Sequence, residues 1–152
     1  MNAVQNKNIF LKHWGIIAYQ AALDLQTEVF TSIIDTKISN RTLPIAAQKP
    51  TDNYIFLCEH TSVYTLGKSG NEENLLWNNA QLASNQVEYF HTNRGGDITY
   101  HGPGQLVAYP LLDMDNFFTD IHLYLRQLEE VVIQTLAQFN IDAGRIEGLT
   151  GV

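Results

Sequence analysis

The residues best suited to chemistry lie in one short run, residues 94–110. Gly95 and Gly96 directly follow Arg94, and glycines let the backbone adopt positive φ and let a ligand approach the main chain. A β-branched and aromatic segment comes next and ends at His101, as expected for a short strand. A cation, glycine amides and an imidazole around one strand are suited to binding a polarised or anionic group of a ligand. The alternative interpretation is a Gly/Pro-rich β-hairpin.

Two motifs in this chain resemble the signature of the lipoyl(octanoyl) transferase family of lipoate biosynthesis. The first is Arg-Gly-Gly-Asp-Ile-Thr-Tyr-His at residues 94–101, which continues with Gly-Pro-Gly-Gln and a later Tyr-Pro. The second is Glu-His-Thr-Ser-Val-Tyr-Thr-Leu-Gly at residues 59–67. The resemblance extends over residues 9–152, which is nearly the whole chain.

The resemblance implies a biotin/lipoate protein ligase-like α+β fold, with a mostly antiparallel mixed sheet backed by helices. It implies an octanoyltransferase that moves an octanoyl group from octanoyl-acyl carrier protein to a lysine of lipoyl domains, through a cysteine thioester. The implied acceptors are the lipoyl domains of 2-oxoacid dehydrogenase complexes and the glycine cleavage H protein. No metal or other cofactor is implied, because a thioester is already activated.

The resemblance also assigns substrate binding to eight consecutive residues. They are Arg94, Gly95, Gly96, Asp97, Ile98, Thr99, Tyr100 and His101. The family's catalytic lysine and nucleophilic cysteine match positions beyond Val152, so no catalytic residue is assigned in this chain. We therefore expect residues 1–152 to be a single catalytic-type domain, incomplete at its C-terminus, and inactive by itself.

Two other functions stay open at this point. An ATP-dependent lipoate or biotin ligase would share the fold, but those enzymes typically have a glycine-rich loop without Gly-Pro-Gly-Gln. A non-catalytic fragment that binds acyl groups or lipoyl domains would explain a chain in which no nucleophile is assigned.

Composition limits the class of protein. The chain has 152 residues, 45% hydrophobic and 16% charged, which is typical of one globular domain. Its formal net charge of −7 argues against a nucleic-acid partner, which would require a basic footprint. A single cysteine excludes an internal disulfide, and neither a signal peptide nor an apolar stretch of about 20 residues is visible. The sequence therefore predicts a soluble cytoplasmic protein without a membrane partner.

Hydrophobic periodicity predicts a mixed order of strands and helices, which favours the α+β class. The continuous apolar run at residues 54–58 predicts a strand that is buried on both faces. The first eight residues are polar and expected to be loosely held. Strands are predicted at residues 9–14, 54–58, 63–66, 87–91, 98–100, 105–109 and 141–146, and helices at 18–38, 75–83 and 118–139.

Several polar or reactive residues are given structural roles. Cys58 lies in an apolar strand and is expected to be a packed, inert thiol. His60 is expected to bond the backbone or a substrate, because a single cysteine and the lack of an acidic cluster argue against zinc. Residues 67–70 are interpreted as a surface turn, since they lack the spacing of a phosphate-binding loop. Gln26 and Glu129 are placed on solvated helix faces.

Overall fold

The structure is a computed structural model and describes residues 5–152. The chain divides into two compact units after Asn116. None of the helices in this described part has the length and apolar content needed to cross a membrane. The elements of the first unit are β1 (Ile9–Ile17), α1 (Tyr19–Asn40), β2 (Asn53–His60), β3 (Val63–Leu66), α2 (Asn79–Ser84), β4 (Glu88–His91), β5 (Ile98–His101) and β6 (Val107–Leu111).

The six strands of the first unit form two three-stranded sheets. In one sheet the central strand β2 pairs with β1 in parallel and with β6 in antiparallel orientation. In the other, the central strand β3 pairs with β4 in parallel and with β5 in antiparallel orientation. The predicted α+β class with mixed sheets is confirmed. Parallel and antiparallel pairings are equally frequent here, so the expected excess of antiparallel pairs is not seen among residues 5–152.

Strand β2 is buried on one face rather than on both, which corrects the prediction from its apolar run. Phe56, Cys58 and His60 are buried, whereas the residues between them are only half-buried. Successive side chains of a strand point to opposite faces, so the alternation shows that one face is packed more tightly. The buried face points two side chains with polar atoms, Cys58 and His60, into the interior.

Element boundaries differ from the predicted ones where a local signal was stronger than periodicity. Helix α2 begins at Asn79 instead of residue 75, because Asn78 and Gln81 form a reciprocal capping box. The preceding Glu72–Asn74 is a separate 3₁₀ turn. Strand β6 includes Pro110, which an edge strand tolerates because the missing N–H is not needed there.

A buried polar network ties the C-terminal half of α1 to the turn after β6. Lys37 Nζ lies 2.5 Å from Asp113 Oδ1 and 2.7 Å from Asp115 Oδ2. Burial by itself would raise the pKa of Asp113, but hydrogen bonds from Lys37 and Thr51 outweigh it and hold that pKa below its usual value. The N–H of Asn6 donates to Asn116 Oδ1, and Asn116 in turn donates to the Thr51 hydroxyl of the network. The prediction that this residue is loosely held is therefore wrong. Residues 1–4 lie outside the described part.

The second unit contains helix α3 (Ile121–Ala137), which Asp120 caps through the N–H groups of the first turn. Glu129, predicted to be solvated, is only 4% exposed. Its carboxylate accepts hydrogen bonds from the N–H of Gly151 and from the guanidinium groups of Arg126 and Arg145. These bonds hold the pKa of Glu129 below its usual value, with the Gly151 N–H as the largest cause.

The strand predicted at residues 141–146 is wrong, because this segment has no regular structure. A strand needs a neighbouring backbone to complete its hydrogen bonds, and the described residues offer none at this place. Instead, Arg145 holds the segment to α3 through Glu129, Glu130 and the carbonyl of Arg126. Side-chain ion pairs therefore replace the predicted strand pairing.

Candidate functional site

A cavity of about 560 Å³ lies in the first unit, between α1 and the ends of strands from both sheets. Its lining combines apolar side chains with a concentration of polar groups near residues 91–94. Two of the eight predicted substrate-binding residues, Arg94 and His101, contribute to it. The other lining residues used below are Tyr19, Leu23, Gln26, Thr65, Val107 and Tyr109.

The guanidinium of Arg94 organises the glycine loop that follows it. Its Nη2 donates to the carbonyl oxygens of Thr65 at 2.6 Å and Asp97 at 2.8 Å, and Nη1 donates to that of Gly95 at 2.9 Å. Nε reaches the hydroxyl of Thr65 at 3.2 Å. A planar fork with five donors suits this set of acceptors. All of these acceptors are backbone carbonyls or the Thr65 hydroxyl, so Arg94 holds the backbone of the loop.

Gly67 packs against the same loop and explains why a glycine stands there. A Cβ at this position would overlap the carbonyl oxygen of Gly96 and lie 2.8 Å from that of Gly95. The Gly67 N–H also donates to the Asp97 carbonyl, and the Lys68 N–H donates to that of Arg94. The turn at 67–70 is therefore an internal support of the motif, and its interpretation as a surface turn is wrong for Gly67, which is buried.

The two glycines of the motif differ in what they require. Gly96 has φ +81°, so any side chain there would strain the backbone. Gly95 has no positive φ, and a Cβ added to it would meet no atom within 4 Å. Neither backbone geometry nor packing in the described residues demands a glycine at 95. Gly95 is exposed, and the space at its Cβ position is open.

Asp97 uses its side chain for loop structure. Its carboxylate accepts a hydrogen bond from the Asn71 N–H at 3.1 Å and another from the Asn74 side chain. Both partners belong to the segment after the 67–70 turn. This carboxylate therefore joins two loops.

The remaining predicted residues divide between the two faces of β5. Thr99 is directly opposite Thr65 of β3, a residue that lines the cavity, so both side chains share the cavity face. Ile98 and Tyr100 alternate to the opposite face. There the Tyr100 hydroxyl donates to Ser62 Oγ at 3.0 Å. The structure thus brings Arg94, Thr99 and His101 together and places Ile98 and Tyr100 elsewhere.

A buried hydrogen-bond chain supports the cavity wall at Tyr109. His60 is fully buried, with Nδ1 3.0 Å from the carbonyl oxygen of Ile17 and Nε2 2.7 Å from the Tyr109 hydroxyl. Because a carbonyl only accepts, Nδ1 carries the proton in the neutral ring, and Nε2 accepts from Tyr109. The expectation that His60 bonds the backbone is confirmed. Burial raises the pKa of the Tyr109 hydroxyl.

Cys58 is a packed thiol, as predicted. It is 3% exposed, and its Sγ lies 3.8 Å from His60 Nε2. Burial raises the pKa of the thiol, so little of the nucleophilic thiolate forms.

We expect Cys58 to react slowly with an alkylating reagent in the native protein and fast after denaturation. Cys58→Ala should lower the free energy of unfolding by about 1–2 kcal/mol and leave acyl transfer unchanged, because packing is lost but no reacting group is. Alkylation kinetics and denaturant unfolding measure the two effects. A variant with normal stability and no activity would contradict the structural role.

Sequence reasoning missed the contribution of α1 to the cavity and placed Gln26 on a solvated face. Tyr19, Leu23 and Gln26 follow one another at spacings of four and three residues, so they share one face of the helix. The presence of the polar Gln26 on the same helix face as Tyr19 and Leu23 was the sequence signal that could have indicated this contribution. Thr65, His91 and Tyr109 were likewise given no role in a site.

Comparison with known proteins shows which family and which relatives this chain is similar to. Residues 19–152 match the family model described as the lipoyl protein ligase A/B catalytic domain. A protein named octanoyltransferase in Cytophaga hutchinsonii is 57% identical over 152 residues, which is 100% of this chain and 62% of that protein. An octanoyltransferase of Flavobacterium johnsoniae is 53% identical over 147 residues, covering 97% of this chain and 62% of that protein.

Solved structures show a similar fold at low sequence identity. P. falciparum LipL1 in complex with lipoate superposes with a TM-score of 0.61 at 15% identity, covering 91% of this chain and 39% of that one. A bi-partite lipoate protein ligase from Thermoplasma acidophilum, described with its E2 lipoyl domain, gives a TM-score of 0.55 at 15% identity, with 97% and 49% covered. The chain thus spans about three fifths of the length of the curated relatives that it matches.

Proposed function

The chain belongs to the lipoyl protein ligase A/B catalytic domain family, and from this premise we propose that the full-length protein is an octanoyltransferase of lipoate biosynthesis. The observation that carries the proposal is the glycine loop beside the cavity. Arg94 and Gly67 fix its backbone, yet the Cβ position of Gly95 is empty. The relatives are named octanoyltransferase, and from this name we take the octanoyl group as the acyl group that the loop would approach.

In the proposed reaction the full-length protein takes an octanoyl group from octanoyl-acyl carrier protein and passes it to a lysine of a lipoyl domain. A cysteine thiolate attacks the incoming thioester and displaces the thiolate of the carrier protein, to which a lysine ammonium gives its proton. This cysteine and lysine are expected from the family resemblance and are not assigned within residues 1–152. Each transfer forms a tetrahedral oxyanion, which fixed donors near the reacting carbonyl would stabilise. The loop that Arg94 organises is a support for that carbonyl, and Leu23 and Val107 offer apolar surface to the tail.

The proposed acceptors are the lipoyl domains of 2-oxoacid dehydrogenase complexes and the glycine cleavage H protein. An archaeal lipoate protein ligase with a similar fold is described together with its E2 lipoyl domain. The cytoplasmic location expected from the sequence stays a prediction.

A second candidate is an ATP-dependent lipoate ligase, which the similarity to solved lipoate protein ligases favours. The Gly-Pro-Gly-Gln run at residues 102–105 favours the transferase instead. The test is a single assay with two donors. The full-length protein and an apo lipoyl domain are incubated either with octanoyl-acyl carrier protein alone, or with free octanoic acid and ATP.

We expect the acceptor to gain the mass of one octanoyl group with the carrier-protein thioester and without ATP. Modification only in the presence of octanoic acid and ATP would establish the ligase and overturn the transferase. We expect the 152-residue chain alone to leave the acceptor unchanged, because it holds no candidate for the reacting thiolate other than the buried Cys58.

A further inference from the structure

The cavity beside Arg94 has a neighbour along the same groove. A second cavity of about 210 Å³ is lined by Gln26, Thr27, Phe30 and Leu111. Gln26 therefore lines both cavities, and it is the only residue that the two linings share among residues 5–152. A half-buried glutamine thus stands where one space ends and the next begins.

The two cavities lie in series between α1 and β6. On the strand, Val107 and Tyr109 line the first cavity and Leu111 lines the second. These residues are two apart, so they share one face, and each step of two residues advances about 7 Å. On the helix, Leu23 lines the first cavity and Phe30 the second. Both elements therefore pass from the first space to the second in the same direction, with Gln26 at the boundary.

Gln26 is held in place by its own helix. Its Nε2 donates to the carbonyl oxygen of Ala22 at 3.1 Å, one helical turn earlier. Tyr109, whose hydroxyl is fixed by His60, lines the first cavity together with Gln26. A long side chain that is bonded at its tip is a more rigid barrier than a free one. Beyond it the second cavity offers the apolar surface of Phe30 and Leu111.

We propose that Gln26 is the partition that ends the acyl slot and thereby sets the longest acyl chain that the protein accepts. This inference rests on the proposed function, because it takes the occupant of the first cavity to be an aliphatic acyl chain. Gln26 acts by occupying space and touches no reacting atom. Removing its side chain joins the two cavities and lets a longer tail reach Phe30 and Leu111.

The test compares binding of octanoic and dodecanoic acid to the full-length protein by calorimetry, for the wild type and Gln26→Ala. Each additional methylene that becomes buried strengthens binding about fourfold. We expect the ratio of dodecanoate to octanoate affinity to rise at least tenfold in Gln26→Ala. Gln26→Ser serves the same purpose if the alanine variant does not fold.

Two control variants separate a steric partition from a general effect on α1. Gln20→Ala makes the same substitution on the same helix, where the side chain is exposed and bonds only Asp24, and should leave the ratio unchanged. Gln26→Leu keeps nearly the same side-chain volume and removes the hydrogen bond to the Ala22 carbonyl, so this variant should keep the preference for the short acyl chain. A shifted ratio in Gln26→Leu, or an unshifted ratio in a folded Gln26→Ala, overturns the proposal.

Acyl transfer from octanoyl- and dodecanoyl-acyl carrier protein supplies the second measurement. If no acyl group of either length is transferred but the binding ratio shifts, the proposed function fails and the partition stands. If octanoyl transfer proceeds in wild type and Gln26→Ala, and dodecanoyl transfer improves in neither, the function stands and the partition fails.

Discussion

Replacing Gly67 with alanine is expected to lower the rate of enzyme acylation by about two orders of magnitude in the full-length protein. The added methyl group would overlap the backbone oxygen of Gly96 and crowd that of Gly95, and neither atom can rotate away as a side-chain tip can. The loop must therefore move, and a displacement of about 1 Å near a reacting carbonyl can cost about 10²-fold in rate. Overpacking of this kind also costs about 1–3 kcal/mol of stability.

Gly95→Ala is the informative companion of that variant. Its added methyl meets no atom of the described chain, so the unfolding midpoint should stay unchanged while acylation falls strongly if the substrate passes beside the loop. Gly144→Ala makes the same change at another open position without positive φ and should alter neither quantity. The measurement pairs the rate of thioester formation with thermal unfolding of the same samples. Normal acylation by Gly67→Ala and Gly95→Ala would remove the loop from the reaction.

Arg94→Lys is expected to be nearly as damaging as removal of the side chain. The guanidinium serves the carbonyl oxygens of Thr65, Gly95 and Asp97 at once, and a lysine ammonium lacks the planar fork that reaches all three. Of these carbonyls only that of Thr65 belongs to a buried residue, and a buried carbonyl left without a donor costs about 1–3 kcal/mol. We expect a rate loss of roughly 10²-fold, together with a lower unfolding midpoint.

The matched control for Arg94 is Arg41→Lys, because Arg41 is an exposed arginine just past the end of α1 and lines a different cavity. Arg41→Lys should leave the acylation rate and the unfolding midpoint unchanged. If Arg94→Lys keeps full activity, charge alone suffices at this position and the proposed bracing of the loop is wrong.

The sequence predicted the α+β class and most strands and helices, because short-range periodicity and turn residues determine these features. It also predicted the packed state of Cys58 and the backbone bond of His60. What it could not supply was the partner of each polar group. Glu129 is buried because Arg126, Arg145 and the Gly151 N–H converge on it from three parts of the second unit. No local pattern in the helix encodes that convergence.

The candidate site was predictable in its motif and not in its surroundings. The run at residues 94–101 marks the loop, but the side chains divide between cavity, loop support and the opposite face of β5. Gly67 and Gln26 were missed for different reasons. The need for Gly67 depends on a loop about 28 residues later in the chain, and the role of Gln26 depends on where α1 crosses β6. Both are properties of tertiary packing and have no counterpart in spacing or composition.

The bond between Tyr109 and His60 has a consequence for hydration. The hydroxyl hydrogen of Tyr109 is engaged by His60, and the single N–H of the neutral His60 ring is engaged by the carbonyl of Ile17, so neither group has a hydrogen left to donate to water. A well-ordered water needs two to four polar partners. We therefore expect water to be held less firmly around Tyr109 than around the polar groups at residues 91–94. An amphiphile entering the cavity then has one favourable orientation, tail toward Tyr109, and its binding should show a negative change in heat capacity.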